Sequence, residues 1–584
     1  MAAAIEGYAS VTSAAPGDTV DFHVRAAAAA SHFTMQLCRR GVSDTELQTN
    51  SGDAFVPGDQ DDASLAVSGC GWPAVAGCTL VVPNDWQSGY YVAKISSGSA
   101  YAEIPFFVRS ASPGNTSKVL VKMSDTTVQA YTGWGGRSLY SSPFSPQISF
   151  DRPYDDMSLF ERYELPFLQW AEKNGYVFDY CSSLDLHLNP QILGDYRLMI
   201  SIGHDEYWSF EMRDQVEAFI ASGGNVCFLS ANTCYWQVRF DFGNGNRIMY
   251  CYKETDLGAG HPDPERDDPR KVTVRWYESP VNRPETMLTG VSYWYGAGWW
   301  NDPIVPTARY RGYTVSDASQ WVLAGSGLSN GDVFGEGTSV DDAILGYETD
   351  SVGAGTPADF ITLATADLSD WGPGGQAGKA TMGMYRRGGV VFTAGTVNWA
   401  GGLRLDGTVT PVDQITRNLF TALTSDPPTQ IAIANWDFED WQNGLPTGWN
   451  PDGAGTCSAV ATDPDDVADY LRFYDDPADF ALEVDATNGE TWISASNFTC
   501  NTETEYGAGC WIKSGAAGAT IRLQTTDTWT DFASAEHSGG GAWEYVFATG
   551  TPPGSGDVPS RVKIQVAAGV IAQFENVSVF AIPQ

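Results

Sequence analysis

The spacing of apolar residues changes twice along the chain and divides it into three parts. In the first part, short runs such as "VDFHV" and "AEIPFFVR" alternate between apolar and polar positions, with turn residues between them. Strict alternation predicts half-buried strands, because successive side chains of a strand point to opposite faces of the sheet. The pattern predicts an Ig-like β-sandwich domain over residues 1–112.

From Lys118 onward, compact apolar runs alternate with segments of helical spacing. The runs "KVLVKM", "YRLMISIG" and "NVCFLSAN" predict buried strands. The segments "YELPFLQWAEKNGY" and "SFEMRDQVEAFIASGG" predict helices, the second with Ser209 as its N-cap. This alternation predicts a doubly wound, mostly parallel α/β domain over residues 113–425. Residues 240–375 interrupt the alternation and predict an insertion of loops and strands over the active face.

A proline-rich linker, "TSDPPTQ", follows at residues 424–430. After it, short alternating runs such as "TIRLQTT" and "RVKIQVAA" return. They predict a third, all-β domain over residues 431–584, a jelly-roll β-sandwich. The expected fold class is therefore multidomain, α/β plus all-β.

The charge of the chain restricts its partners. The 584 residues carry 71 acidic and 33 basic side chains, a formal net charge of −38. Such a surface repels nucleic acid and anionic lipid, so we expect neither as a partner. No apolar run approaches about 18 residues, which predicts no transmembrane helix. The opening "MAAAIEGYAS" has neither the charged nor the apolar region of a signal peptide.

The ten cysteines form no CxxC pair and have no zinc-site spacing. Cys70 and Cys78 flank a Gly/Pro loop, where an oxidising compartment would allow a disulfide. Cys457 has two alternative partners, Cys500 and Cys510, and the compartment stays open. Cys227 lies in an apolar run and is predicted to be a core residue.

Polar residues follow the strand predicted at "LMISIG". His204, Asp205, Glu206 and Tyr207 come directly before the next helix. In open α/β sheets, ligands bind beyond the carboxyl ends of the strands. Capping of the helix N-terminus would explain the two acids, but not the histidine and the tyrosine. We therefore favour a catalytic site with a general base and a phenol that binds a metal.

The next predicted strand ends in the same way, at Asn232 and Tyr235. Right-handed crossovers bring the carboxyl ends of both strands to the same edge of the sheet. The aromatic-rich loop at 131–154 begins beyond the first strand and is expected to cover that edge with Trp134 and Arg137. The side chains expected to converge in one pocket are His204, Glu206, Tyr207, Asn232 and Tyr235.

Other chemistries have less support. The chain has no GxSxG nucleophile motif and no glycine-rich phosphate loop or GxGxxG before the first helix. Cys234 is an alternative nucleophile, but no partner histidine is identifiable.

Several long motifs, in the same order, resemble the N,N-dimethylformamidase large (beta) subunit family. They are "VQAYTGWGGRSLY", "SFDRPY", "GHDEYWS", "GGNVCFLSANTCYWQVRF" and "GGVVFTAGTVNWAGGL". The resemblance covers roughly residues 5–425. It implies a glutamine-amidotransferase-like α/β domain and an amidohydrolase, which cleaves carbon–nitrogen bonds other than peptide bonds.

The resemblance also implies a mononuclear iron held by two tyrosines and a glutamate. Tyr207 and Tyr235 match the tyrosines, and Glu254 in "YCYKETD" follows in the right order. Tyr252 stands where the family has a histidine, and this departure leaves the third ligand open. Glu206 and Glu348 are the alternative carboxylates, and either could instead be the general base. The expected catalytic residues are His204, Glu206, Asn232 and Glu348.

The last domain lies outside this resemblance. Its opening, "NWDFEDW" followed by "GLPTGW", is similar to carbohydrate-binding jelly-roll modules of secreted enzymes and of phage or cell-surface appendages. That similarity implies a carbohydrate partner, and an extracellular, surface or virion-associated location rather than a cytoplasmic one. Two hypotheses follow: a metal-dependent hydrolase of a small amide or glycan-linked substrate, and a glycan-binding appendage component with the α/β domain as scaffold. Substrate identity and oligomeric state stay open.

Overall fold

A computed structural model describes most of the chain. It covers residues 5–582 except 244–246, 300–308, 340, 372–377, 425–428, 432–440, 443–444, 447–448, 454–455, 462–479, 496–497 and 540–542. Most of the predicted linker, and most of the "NWDFEDW" opening, lie outside the described residues. The chain divides into two compact units, one of residues 1–213, 226–385 and 392–422, the other of residues 214–225, 386–391 and 423–584. The boundaries of the three predicted domains stay predictions.

The first hundred residues form strands, as their alternating pattern predicts. Phe33, Met35 and Leu37 alternate along one strand and are all buried, because every second side chain faces the core. The helix Asp62–Ser68 interrupts the strands. A five-stranded sheet has the order Ser13–Ala14, Ala100–Val108, Gly89–Ser97, His32–Arg40, Asp44–Asp53, and Ile5–Ala9 pairs with Phe22–Ala26. The Ig-like arrangement itself stays a prediction.

A nine-stranded sheet contains the strands predicted in the middle of the chain. In chain order its strands are β1 Val119–Lys122, β2 Asp179–Cys181, β3 Leu198–His204, β4 Asn225–Ala231, β5 Tyr313–Val315, β6 Val333–Phe334, β7 Ile361–Asp367, β8 Lys379–Arg387 and β9 Gly389–Thr393. Their order in the sheet is β2–β1–β3–β4–β9–β8–β7–β5–β6.

The strand directions correct the prediction of a mostly parallel sheet. Strand β1 runs parallel to β2 and β3, where strands alternate with helices along the chain. Strands β5 to β8 pair antiparallel: β5 with β6 and β7, and β7 with β8. These strands belong largely to the predicted insertion, where the described residues between them contain no α-helix that could return the chain to the same end of the sheet. The sheet is therefore mixed.

The helices begin and end where the sequence provides caps. The Ser209 hydroxyl oxygen accepts a hydrogen bond from the Met212 amide (3.2 Å), which confirms the predicted N-cap. Another helix ends before Asn174-Gly175, and Gly175 has a φ of +76°. Among the described residues, the α-helices of this part are Asp125–Tyr131, Ser158–Tyr163, Leu165–Lys173, Ser183–Leu188, Phe210–Ala221, Thr286–Thr289 and Pro411–Leu423.

Two smaller sheets accompany the nine-stranded sheet, and the first begins with segments that directly follow β3 and β4 in sequence. Tyr207–Ser209 pairs parallel with Trp236–Asp241, with Tyr207 opposite Trp236. Glu348–Ser351 pairs antiparallel with Ser292–Gly298. Ile248–Tyr250 and Gln147–Ser149 extend the first of these sheets. The predicted insertion thus supplies strands as well as loops.

The last part of the chain is all-β, as predicted. One sheet has the order Thr456–Ala461, Phe480–Asp485, Ile571–Ile582, Glu505–Ser514, Trp543–Gly550, with Thr429–Ile431 against Ile571–Ile582. The other has the order Trp449–Gly453, Thr491–Ala495, Asp557–Val566, Ala519–Thr525, Asp531–Glu536, with Phe498–Asn501 against Asp557–Val566. Apolar residues such as Leu482, Ile512 and Ile564 form their common core. The jelly-roll connectivity stays a prediction.

None of the ten cysteines forms a disulfide in the structure, including the pairs that an oxidising compartment would allow. Cys70 packs in a cluster with Trp72 and Trp134, whereas Cys78 belongs to the core of the N-terminal strands. Separate clusters keep these two thiols apart. Cys227 is fully buried, which confirms it as a core residue. No helix of the described residues is long and apolar enough to cross a membrane.

Candidate active site

His204 is the last residue of β3, and the residues that follow it are buried with it. Asp205 does not face the candidate chemistry. Its carboxylate pairs with the Lys122 ammonium on β1 and accepts a hydrogen bond from the Ser201 hydroxyl (2.7 Å). The segment therefore alternates between an anchor to the sheet, Asp205, and groups that face the site, His204 and Glu206.

Two carboxylates flank one nitrogen of His204. Nε2 lies 2.8 Å from Oε2 of Glu348 and 3.4 Å from Oε2 of Glu206. Burial alone would lower the pKa of His204, but attraction to Glu348 and Glu206 outweighs it and raises the pKa to about 9. Nδ1 is buried and has no hydrogen-bond partner within the described part of the chain. One nitrogen is thus fixed by a carboxylate, and the other is unpaired.

Asn232 comes from the end of the neighbouring strand β4. Its Nδ2 donates to Oε2 of Glu348 (3.1 Å) and lies 3.4 Å from Nε2 of His204. The backbone of Asn232 is in the left-handed region, with a φ of +48°. Its backbone N–H donates to Oδ1 of Asp350 (2.7 Å). Glu348 and Asp350 are two residues apart on one strand and so share a face. That strand holds both the histidine and the strained turn.

Glu206 accepts hydrogen bonds from two phenols. Tyr140 donates to Oε1 (2.8 Å), and Tyr131 donates to Oε2 (3.2 Å). Burial raises the pKa of Glu206, and the charges of His204 and Lys253 oppose that rise. Sequence reasoning missed both tyrosines, although Tyr140 lies in the loop that was expected to cover the site.

Tyr207 continues this chain of hydrogen bonds. Its hydroxyl donates to the Tyr140 hydroxyl (2.7 Å) and accepts from the Lys253 ammonium (2.6 Å). Burial raises the pKa of Tyr207 well above its usual range and lowers that of Lys253. Lys253 was also missed, although it stands between Tyr252 and Glu254 in a motif that the sequence singled out. The line of contacts runs from Lys253 through Tyr207 and Tyr140 to Glu206.

The other predicted site residues have different surroundings. The Tyr235 ring packs 5.5 Å from that of Tyr293 and 6.1 Å from that of Tyr277, in the same hydrophobic cluster as Tyr207. Glu254 pairs with Arg266 (3.1 Å) and accepts from the Asp263 amide (3.1 Å). Tyr235 is therefore a neighbour of Tyr207, whereas Glu254 has a cationic partner of its own.

The predicted cover of the site is wrong for Trp134. Its Nε1 donates to Oε2 of Glu6 (2.8 Å), and its ring packs against Trp72, which belongs to the N-terminal strands. Arg137 follows in the same loop, and its carbonyl oxygen accepts from the Arg152 guanidinium (2.7 Å). Tyr131 and Tyr140 reach the site from this loop, whereas Trp134 completes an apolar cluster.

The predicted iron ligands do not fit a metal ion in this arrangement. A metal would have to bond the oxygen of Tyr207 that already accepts a hydrogen bond from the Lys253 ammonium, while Glu254 is paired with Arg266. Apart from the predicted tyrosine ligands, no group of three or more His, Cys, Asp or Glu side chains within the described ranges is arranged to hold a metal.

Comparison with known proteins decides the family. The family model described as "N,N-dimethylformamidase beta subunit-like, C-terminal" matches residues 40–414. The chain belongs to this family. The N,N-dimethylformamidase beta subunits of Paracoccus aminophilus and Alcaligenes sp are 22% and 21% identical to it, over 60% of this chain and 54% of each relative. The chain thus spans about half the length of the curated relatives it matches.

Solved structures match a quarter of the chain. TmCBM61, solved in complex with beta-1,4-galactotriose, is 17% identical with a TM-score of 0.19, over 25% of this chain and 95% of its own. The CBM22-1 xylan-binding domain from Paenibacillus barcinonensis Xyn10C is 9% identical with a TM-score of 0.19, over 27% of this chain and 97% of its own. TM-scores of this size support no inference about this chain.

Proposed function

We propose that this chain hydrolyses the carbon–nitrogen bond of a small amide and that His204 transfers the protons. The observation that carries the proposal is the His204 ring, with Nε2 bonded to Glu348 and buried Nδ1 left unpaired among the described residues. A histidine with one fixed and one available nitrogen has the arrangement of a general base. Membership of the N,N-dimethylformamidase beta subunit-like family supports an amide as the substrate class.

Glu348 determines which nitrogen of His204 carries the proton. Its carboxylate accepts a hydrogen bond from Nε2, so the neutral ring keeps its lone pair on Nδ1. Nδ1 then removes a proton from water as the water oxygen bonds to the amide carbon. The same nitrogen returns the proton to the departing amine as the carbon–nitrogen bond breaks. The flanking carboxylates, Glu206 and Glu348, stabilise the imidazolium formed in between.

The test is amine release from a panel of small amides, N,N-dimethylformamide and formamide among them. His204→Gln is expected to lower kcat by about 100-fold or more, because it removes the general base. Glu336→Gln, a change at an exposed glutamate, is the matched control and should retain wild-type activity. Circular dichroism checks that the variants are folded. Equal rates in His204→Gln and wild type, or no amine from any amide, would refute the proposal.

The pH profile provides a second test of the same base. Because the pKa of His204 is raised to about 9, only a minor fraction is neutral at pH 7. The rate should therefore increase with pH up to about 9 and then level off. Glu348→Gln removes the charge that raises this pKa and should shift the profile to lower pH, together with a lower maximal rate. A Glu348→Gln profile with an unchanged midpoint would contradict the assignment.

Carbohydrate binding is a second candidate function, favoured by one surface residue of the last domain. Trp529 is 60% exposed at a turn with a φ of +56°, and the Arg561 guanidinium lies 4.6 Å from its ring. Exposed aromatic rings with polar neighbours suit sugar rings. A glycan array with the full chain and with Trp529→Ala tests it. Retention of a glycan by wild type but not by the variant would support carbohydrate binding. If wild type retains no glycan, this function is refuted.

A further inference from the structure

Lys253 occupies a closed, oxygen-rich position inside the candidate site. The residue is 1% exposed, and its ammonium donates to the Tyr207 hydroxyl at 2.6 Å. The same nitrogen lies 3.5 Å from the centroid of the Tyr140 ring and 5.1 Å from that of Trp236. Aromatic faces attract cations, most strongly where water is excluded. The aromatic faces and the Tyr207 oxygen therefore offset part of the cost of burying the ammonium charge here.

The backbone also holds the lysine in place. Lys253 has a φ of +46°, which side chains other than glycine rarely adopt. Its carbonyl oxygen accepts hydrogen bonds from the amides of Asp256 and Gly258, both at 2.9 Å. A Cβ at Gly258 would lie 1.6 Å from the Tyr252 carbonyl oxygen, so only glycine permits this turn. Strain held by its surroundings in this way is a feature of functional positions.

The groups around the ammonium would suit a metal ion if the lysine were absent. Tyr207, Tyr140 and Glu206 are linked in sequence by hydrogen bonds of 2.7 and 2.8 Å, and together provide two phenols and a carboxylate. Such hard oxygen donors suit hard, highly charged cations. A metal bonded to Tyr207 would lie within a few ångströms of the ammonium, and like charges this close repel strongly in a buried site.

We propose that Lys253 is the resident cation of this site and excludes a metal ion from the Tyr207 oxygen. The proposal contrasts with the tyrosine-bound iron that the family resemblance implies. It rests on the contacts of Lys253 alone and does not depend on the proposed hydrolysis. Its test is a binding measurement, so its failure would leave the assignment of His204 intact.

The experiment titrates the purified full chain with ferric nitrilotriacetate. Visible absorption from phenolate bound to iron and the iron retained after gel filtration are the two readouts. Wild type should show neither. Lys253→Ala should retain about one equivalent with a visible band, at least about tenfold tighter than wild type, because the repelling charge is gone. Adding Tyr207→Phe to that variant should abolish the band.

Two further variants keep the test decisive. Lys253→Gly suits the left-handed backbone and replaces Lys253→Ala if the alanine variant does not fold. Lys118→Ala removes an exposed lysine with the same change in net charge, and should behave as wild type. Stoichiometric iron and a visible band in wild type, lost in Tyr207→Phe, would overturn the proposal. So would the absence of binding in every folded Lys253 variant, because Lys253 would then not be what excludes the ion.

Discussion

The turn after β4 holds Asn232 in a conformation that favours glycine. Asn232→Gly should relieve this backbone strain, whereas Asn232→Ala keeps it. The free energy of unfolding of the glycine variant should therefore exceed that of the alanine variant by about 1–2 kcal/mol. Both variants lose the amide that contacts Glu348, so both should lower kcat. Urea unfolding measures the first effect and amine release the second. Equal stability of the two variants would show that the strain is relieved in some other way.

Glu164 is a buried carboxylate whose protonation links stability to pH. Its Oε2 accepts a hydrogen bond from the Ser124 backbone N–H (3.1 Å), which by itself would lower the pKa of Glu164. Burial outweighs this effect and raises the pKa to about 8. The folded chain therefore binds this proton more tightly than the unfolded chain. Wild type should lose stability as pH rises from about 4.5 to about 8, by up to roughly 5 kcal/mol.

Glu164→Gln keeps an oxygen acceptor but removes this titration. The variant should gain stability relative to wild type as pH rises from 5 to 9, measured by urea unfolding at both pH values. Glu161→Gln changes an exposed glutamate of the preceding helix and serves as the control. If the free energies of unfolding of Glu164→Gln and wild type differ by the same amount at pH 5 and at pH 9, this linkage is ruled out.

At the scale of elements, one buried ion pair joins β1 to the segment that follows β3. Lys122 and Asp205 are both completely buried, and the ammonium also lies 4.7 Å from the Trp208 ring. Lys122→Met leaves a buried carboxylate unpaired and should lower the free energy of unfolding by about 3–5 kcal/mol. The double variant Lys122→Met, Asp205→Leu should lower the free energy of unfolding by less than the sum of the two single changes. A double-mutant cycle by urea unfolding measures this, and additive effects would argue against a coupled pair.

At the scale of the whole molecule, self-repulsion should make stability depend on salt. The formal net charge of −38 opposes the compact state, and dissolved ions screen that repulsion. The midpoint of thermal unfolding should rise by several degrees between about 0.05 and 0.5 M NaCl, as followed by circular dichroism. KCl should give the same increase, since screening does not depend on the identity of the cation. A midpoint that falls or does not change would mean that local pairs outweigh the net charge.

The sequence by itself determined the strands and helices around the site. It thereby also determined where the site residues at the strand ends lie. Apolar runs that fill a buried strand have few alternatives, and β3 and β4 lie where the runs predicted them. Because polar residues at the ends of neighbouring strands meet at one edge, His204, Glu206 and Asn232 were predictable as a group. The antiparallel direction of the strands in the insertion was not predictable. Short strands with no predicted helix between them give no signal of direction.

Only the tertiary structure decided the partners of those residues. Glu348 was one of several carboxylates in the sequence, and the fold places it on Nε2 of His204 from a strand far along the chain. Tyr140 and Lys253 reach the site from loops, where no periodicity specifies which side chain points inward. Lys253 in particular depends on a left-handed turn closed by hydrogen bonds to its own carbonyl oxygen. Local patterns fix where strands end, whereas the contacts between distant loops depend on the packing of the whole domain.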